Sequence, residues 1–211
     1  KNIPSHQIKP QKNTHYVLCI THHSLPLQPH YTLYIMHYTL FEEHFTSVHF
    51  AKGDYLTRAG DVEHNLYYIE EGIVRYFYYN PESDKETTVD FTFAGEFCLS
   101  YASYVQQTPS LVNMQALEEI TAYKISREEL EQLLTRPDYL KVKVEILEKL
   151  LIEKMQKEAQ LLTQSPEENY RYLLEKEPRL LQCVPLKYIA SYIGITPQAL
   201  SRIRNRIVHS L

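Results

Sequence analysis

The sequence predicts an α+β protein. An N-terminal antiparallel β-roll (jelly roll) comes first, then one long helix, then a C-terminal helix-turn-helix unit. Three observations carry this reading. Short β-branched and aromatic runs, punctuated by turn residues, fill residues 48–126. One apolar stripe at helical spacing runs from Leu140 to Leu162. Residues 184–210 read as two short helices around a turn at Gly194.

The totals set bounds on these elements. A length of 211 residues allows one large domain or two modest ones, and 44% hydrophobic content is ordinary for a packed core. No apolar run approaches the roughly 18 residues that a membrane-crossing helix needs, so no membrane partner is expected. The net charge of -4 argues against a chain that coats nucleic acid. The charge is unevenly placed, however. From Thr163 onward seven Lys/Arg face four Glu, a balance of +3 that leaves -7 for the rest. A basic patch on an acidic body suits docking one face onto phosphates. Cys19, Cys98 and Cys183 are far apart, so neither a disulfide scaffold nor a zinc ribbon is indicated, and a reduced, cytoplasmic setting is expected.

Residues 1–35 carry four prolines and scattered histidines with little periodicity, and the first Met is Met36. They are expected to be a disordered polar leader or upstream extension, outside the fold. The β-roll follows over residues 36–136. Its runs SVHF, YLTR, LYYIE, IVRYFYY and KETTVDF are separated by KGD, AGD, EG and NPESD. Gly53, Gly60, Gly72 and Gly95 fall in these turns. The run at 72–79 is nearly all apolar or aromatic, which predicts a strand buried on both faces.

Ser126-Arg127-Glu128-Glu129 is a capping box that opens a short helix through Leu134. After Pro137, Leu140, Val144, Leu147, Leu151, Met155, Ala159 and Leu162 recur at spacings of 4, 3, 4, 4, 4 and 3. That is one stripe on a helix of about 25 residues, assigned to residues 137–163. The stripe outlasts what one small roll can cover, so Leu140, Val144, Leu147, Leu151 and Met155 are predicted to meet a second copy of the chain. A second capping box at Ser165-Pro166-Glu167-Glu168 opens the final domain, residues 164–211, with a helix that stops before Pro178.

Within that domain Leu186–Tyr192 suits a first helix, Gly194 a left-handed cap, and Thr196-Pro197 the start of a second helix. Leu200, Ile203 and Ile207 make its inner face, while Gln198, Arg202 and Asn205 share an outer one. An α-helix enters the major groove of duplex DNA only with a polar outer face and an anchored inner one. Arg202 suits guanine O6 and N7, Gln198 suits adenine N6 and N7, and Thr196 and Ser201 suit phosphate. Arg204 and Arg206 are expected flank-side, serving the backbone electrostatically.

These parts together resemble the CRP/FNR family of transcription regulators. The resemblance runs from about Met36 to Leu211. It rests most specifically on KGDYLTRAGD, on the AGE of residues 94–96, and on residues 189–204, IASYIGITPQALSRIR. It implies a cyclic-nucleotide-binding-like roll followed by a winged-helix-type DNA domain, with the wing reduced or absent in this sequence, a homodimer on a near-palindromic site in double-stranded DNA, and RNA polymerase as a compatible partner. It also implies that Pro197, Gln198 and Arg202 contact bases.

The pattern departs from the family at one point. Members that bind cyclic AMP hold its ribose with the Glu after Gly, matched here by Glu96, and its phosphate with an arginine about a dozen positions on. QQTPSLV stands there instead, and no arginine occurs between Arg75 and Arg127. A buried phosphodiester without a guanidinium is poorly compensated, so cyclic AMP is not expected as effector and no cofactor is indicated. Cys19 alone cannot supply an iron–sulfur site. Cys98 reads as a small core residue.

Two other functions remain open to the sequence. One is a ligand-sensing roll whose C-terminal helices mediate protein contacts rather than DNA binding. The other is a cupin-like metalloenzyme, which needs two His one residue apart with Glu and a later His. His49 and His64 each stand alone, so no enzyme is expected.

Overall fold

Alternation of apolar and polar side chains along short strands builds two four-stranded antiparallel sheets. In the computed structural model, which describes residues 44–208, the strands are β1 Thr46–Phe50, β2 Tyr55–Thr57, β3 Asn65–Glu71, β4 Ile73–Asn80, β5 Lys85–Phe93, β6 Phe97–Cys98, β7 Asn113–Ala116 and β8 Ile120–Ser126. One sheet runs β1-β8-β3-β6 and the other β2-β7-β4-β5. The described residues all fall within one unit. The expected leader at 1–35, with Cys19, and also Met36 and Leu211, lie outside the described residues.

Between the sheets Leu56, Tyr67, Ile69, Val74, Cys98, Met114, Ala116, Ile120 and Ala122 form one core. Each large aliphatic side chain there contributes about 1.5–3 kcal/mol by leaving water. Cys98 is a core residue, as expected, and burial pushes its thiol pKa up. Gly72, at φ +104°, joins β3 to β4, and a Cβ on it would stand 2.7 Å from Glu119 O. Only glycine fits that approach.

The run at 72–79 is less deeply buried than expected. β4 is buried as far as Phe77, but Tyr78 and Tyr79 are 47% and 49% exposed. The hairpin to β5 carries them beyond the core, and Tyr79 Oη donates to Asp84 Oδ1 at 2.8 Å. Arg75, in the buried part, is 1% exposed, so the strand holds a cation in its interior.

A short helix, α1 Tyr101–Gln106, crosses between β6 and β7. Its sequence carries no capping signal, and Ser100 caps nothing with its side chain, which hid it from the sequence reading. The remaining helices are α2 Arg127–Leu133, α3 Pro137–Thr163, α4 Pro166–Lys176, α5 Pro178–Cys183, α6 Leu186–Tyr192 and α7 Pro197–Val208. Both capping boxes form, at Ser126/Glu129 and Ser165/Glu168. Pro178, read from sequence only as a terminator, also serves as the first residue of α5.

The helical unit α4–α7 shares a core of Tyr170, Leu173, Leu180, Val184, Ile189, Ala190, Ile193, Leu200, Ile203 and Ile207. Ile73 and Phe91 of the roll belong to the same cluster. The two expected domains are therefore continuous in packing, which their separate sequence textures did not reveal. Among the described residues no helix is long and apolar enough to cross a membrane.

Candidate nucleic-acid interface

The turn between α6 and α7 is built by backbone bonds that only a left-handed residue permits. Gly194 has φ +76°. Its N–H donates to Ser191 O at 3.2 Å, and Ile195 N donates to Ala190 O at 2.9 Å. This Schellman pair satisfies two of the last carbonyls of α6 and turns the chain sharply. Thr196 then caps α7 by accepting from Ala199 N at 3.2 Å, with Pro197 at the first helical position.

α7 divides cleanly. Leu200, Ile203 and Ile207 are buried against α4 and α6 residues. Thr196, Pro197, Gln198, Ser201, Arg202, Arg204, Asn205 and Arg206, the residues singled out by sequence, are all exposed. Among the described residues neither Arg202 nor Arg204 is engaged in a hydrogen bond or ion pair. Arg206 differs from both. Its Nη2 donates to Glu167 Oε2 at 2.8 Å, while Arg171 Nη2 donates to Glu167 Oε1 at 3.1 Å. The Arg171 bond, helped by the charge of Arg206, holds the Glu167 carboxyl below its usual pKa. Arg206 thus ties α7 to α4, a role its place in the sequence did not disclose.

On α3, Leu140, Val144, Leu151 and Met155 are exposed and Leu147 is half-buried. Leu150, Ile152, Leu161 and Leu162 are exposed beside them. A row of large apolar side chains along 27 helical residues is far more than an isolated surface leucine.

The turn at Gly95-Glu96 is closed on itself. Glu96 Oε2 accepts from Phe93 N at 2.9 Å, Gly95 N donates to Ile69 O at 2.8 Å, and Ile69 N donates to Glu96 O at 3.0 Å. Thr108, Pro109 and Ser110 stand where the family resemblance places the phosphate-binding arginine, and Ser110 is buried. Its Oγ is 2.8 Å from Ser100 Oγ and donates to Val112 O at 2.7 Å. Beside it Glu63, 2% exposed, accepts from Thr57 Oγ1 and from Asn65 N at 3.0 Å, and burial raises its pKa. This network of hydroxyls around a buried carboxyl group offers a cyclic nucleotide's phosphate no cation. The residues present do not fit that group. Among the described residues no three His, Cys, Asp or Glu gather as a metal site.

The architecture defines a class: a β-roll, a long exposed apolar helix and a helix-turn-helix. Residues 47–136 match the family model of the cyclic nucleotide-binding domain, and the chain has the fold of the CRP/FNR transcription regulators. It is similar to CLP of Xanthomonas campestris, described as a c-di-GMP responsive global regulator, with 20% identity over 83% of this chain and 92% of that one and a TM-score of 0.66. It is similar to FixK2 of Bradyrhizobium japonicum, with 16% identity over 79% and 85% of the two chains and a TM-score of 0.68. A protein of Eubacterium rectale described as a transcriptional regulator of the CRP/FNR family aligns at 18% identity over 81% and 82%, with a TM-score of 0.61. No curated protein matches the chain by sequence.

Proposed function

We propose that this chain is a sequence-specific DNA-binding transcription regulator, not an enzyme, acting as a homodimer on a near-palindromic operator. The observation that carries the reading is the division of α7 into three buried anchors and seven exposed polar or proline positions, with the exposed cap Thr196 before them. Gln198 and Arg202, with Asn205 one turn on, read base edges, and Thr196, Ser201 and Arg204 address phosphates. Pro197 opens the helix at the groove. The two copies meet along Leu140, Val144, Leu147, Leu151 and Met155, an isologous contact that places two reading helices about one helical turn of DNA apart. The domains follow the sequence division: effector-type roll to residue 136, dimer helix 137–163, reading unit from 164. The roll works without cyclic AMP, because Glu96 is turned onto its own loop and Thr108, Pro109 and Ser110 stand in place of the phosphate-binding arginine.

The protein-contact reading is less well supported, since among the described residues Arg202 and Arg204 stand unpaired on a face with no exposed large apolar side chain. A salt-dependent mobility shift separates the two. The dimer retards duplex fragments from its own promoter region, with affinity falling steeply between 50 and 200 mM salt. Absence of any shift at low salt rules out DNA binding. Calorimetry with cyclic AMP tests the roll, and binding at micromolar concentration contradicts the proposed independence.

A further inference from the structure

Among the described residues β5 ends its sheet, so its outer edge presents N–H and C=O groups that no further described strand takes up. The helical unit takes them up instead. Ser191 Oγ accepts from Thr88 N at 2.9 Å and donates to Glu86 O at 3.2 Å. Beneath it, Arg75 donates from Nε to Thr88 Oγ1 at 2.9 Å and from Nη1 to Glu86 Oε2 at 2.7 Å. Its guanidinium carbon lies 4.2 Å from the Phe77 ring centroid and 3.9 Å from that of Tyr188 on α6. A buried cation stacked on a ring is held more firmly than an exposed one.

The same strand seats two more helices. Lys157 of α3 donates to Val89 O at 2.6 Å and Asp90 Oδ1 at 3.0 Å, with its Nζ 3.9 Å from the Tyr192 ring centroid. Arg179 of α5 lies 4.8 Å from the Phe93 centroid. Residues 86–93 therefore hold α3, α5 and α6 at once. α6 in turn packs Ile189 and Ala190 in one core with Leu200 and Ile203 of α7, which links the reading helix to the same seat.

We infer that β5 is the orienting seat of the reading unit, with Tyr188 and Ser191 as positioning residues that fix the direction in which α7 presents Gln198 and Arg202. The inference rests on the proposed DNA reading and adds its geometric control. A single half-site needs one intact helix-turn-helix. A two-fold operator needs two such units at a set separation, and loosely held units lose orientational freedom on binding.

The test uses the full chain with Cys19 and Cys183 replaced by serine and nitroxides at positions 52 and 175, spin-diluted with unlabelled chain. Wild type and Tyr188→Phe, which keeps the ring, give one narrow distance distribution. Tyr188→Ala combined with Ser191→Ala broadens it, and Ser191→Ala alone broadens it less. Against a duplex selected by the protein itself from a random pool, the double variant binds the full site about tenfold more weakly but the isolated half-site as wild type does. Unchanged narrow distances in the double variant overturn the seat, as does an equal loss on full and half sites. If wild type binds no duplex, the DNA reading fails, and the distances alone still decide the seat.

Discussion

Arg206 and Glu167 form an ion pair across α7 and α4, with Nη2 2.8 Å from Oε2, and the same carboxylate holds Arg171 through its other oxygen at 3.1 Å. Glu167 therefore competes with DNA phosphate for a cation on the reading helix. Because its pKa is lowered, it stays ionised throughout the neutral range. Glu167→Gln should weaken the hold of α4 on Arg206 and steepen the salt dependence of DNA binding. A titration between 50 and 200 mM salt reads this directly. Arg206→Ala should flatten the slope less than Arg204→Ala does, since Arg204 has no such partner.

Arg202, proposed to read a base edge, is exposed and one turn beyond Gln198. Arg202→Ala should cost about 1–3 kcal/mol and relax preference at one base pair per half-site. Competition binding with single-base variants of the operator checks it. Uniform weakening across all variants would assign Arg202 to the phosphate backbone instead.

Glu63 ties β2 and β3 to the segment before α1, and burial raises its pKa above the ordinary 4.5. A carboxyl group with a raised folded pKa binds its proton more tightly when folded. Its stabilising contribution is complete below the unfolded pKa and declines as pH rises through the folded value. Glu63→Gln keeps an acceptor for Asn65 N and a donor for Thr57 Oγ1 while removing the ionisation. Melting temperature between pH 5 and pH 8 should vary less in the variant than in wild type, with the variant the more stable at pH 8.

The α3 stripe predicts a dimer that charge should break. Sedimentation of Leu147→Glu with Leu151→Glu should show a monomer with native circular dichroism. A persisting dimer would place the interface on another surface.

Much of this was legible because local chemistry and global fold agree. Ser126/Glu129, Ser165/Glu168 and Thr196-Pro197 announced three helix starts, and all three form. Gly194 marked the turn, and the stripe from Leu140 marked α3. Hidden from the sequence were contacts between elements far apart in the chain. Arg75, inside the apolar run at 72–79, is a buried joint to Tyr188, 113 positions later by numbering. Ser191 closes the edge of β5, and nothing in its local sequence marks it for that. Glu63 carried no motif at all. Such pairings depend on which faces meet in three dimensions, and periodicity does not encode that.

The central claim, a two-fold reader of duplex DNA, is tested most directly by selecting ligands for the full-length protein from a randomised duplex pool. The account predicts enrichment of an inverted repeat whose half-sites lie about one helical turn, 34–36 Å, apart, and, with Arg202→Ala, the same repeat with its preference relaxed at one base pair per half-site. Recovery of no common sequence, or of a single unrepeated half-site from the wild-type protein, would contradict it.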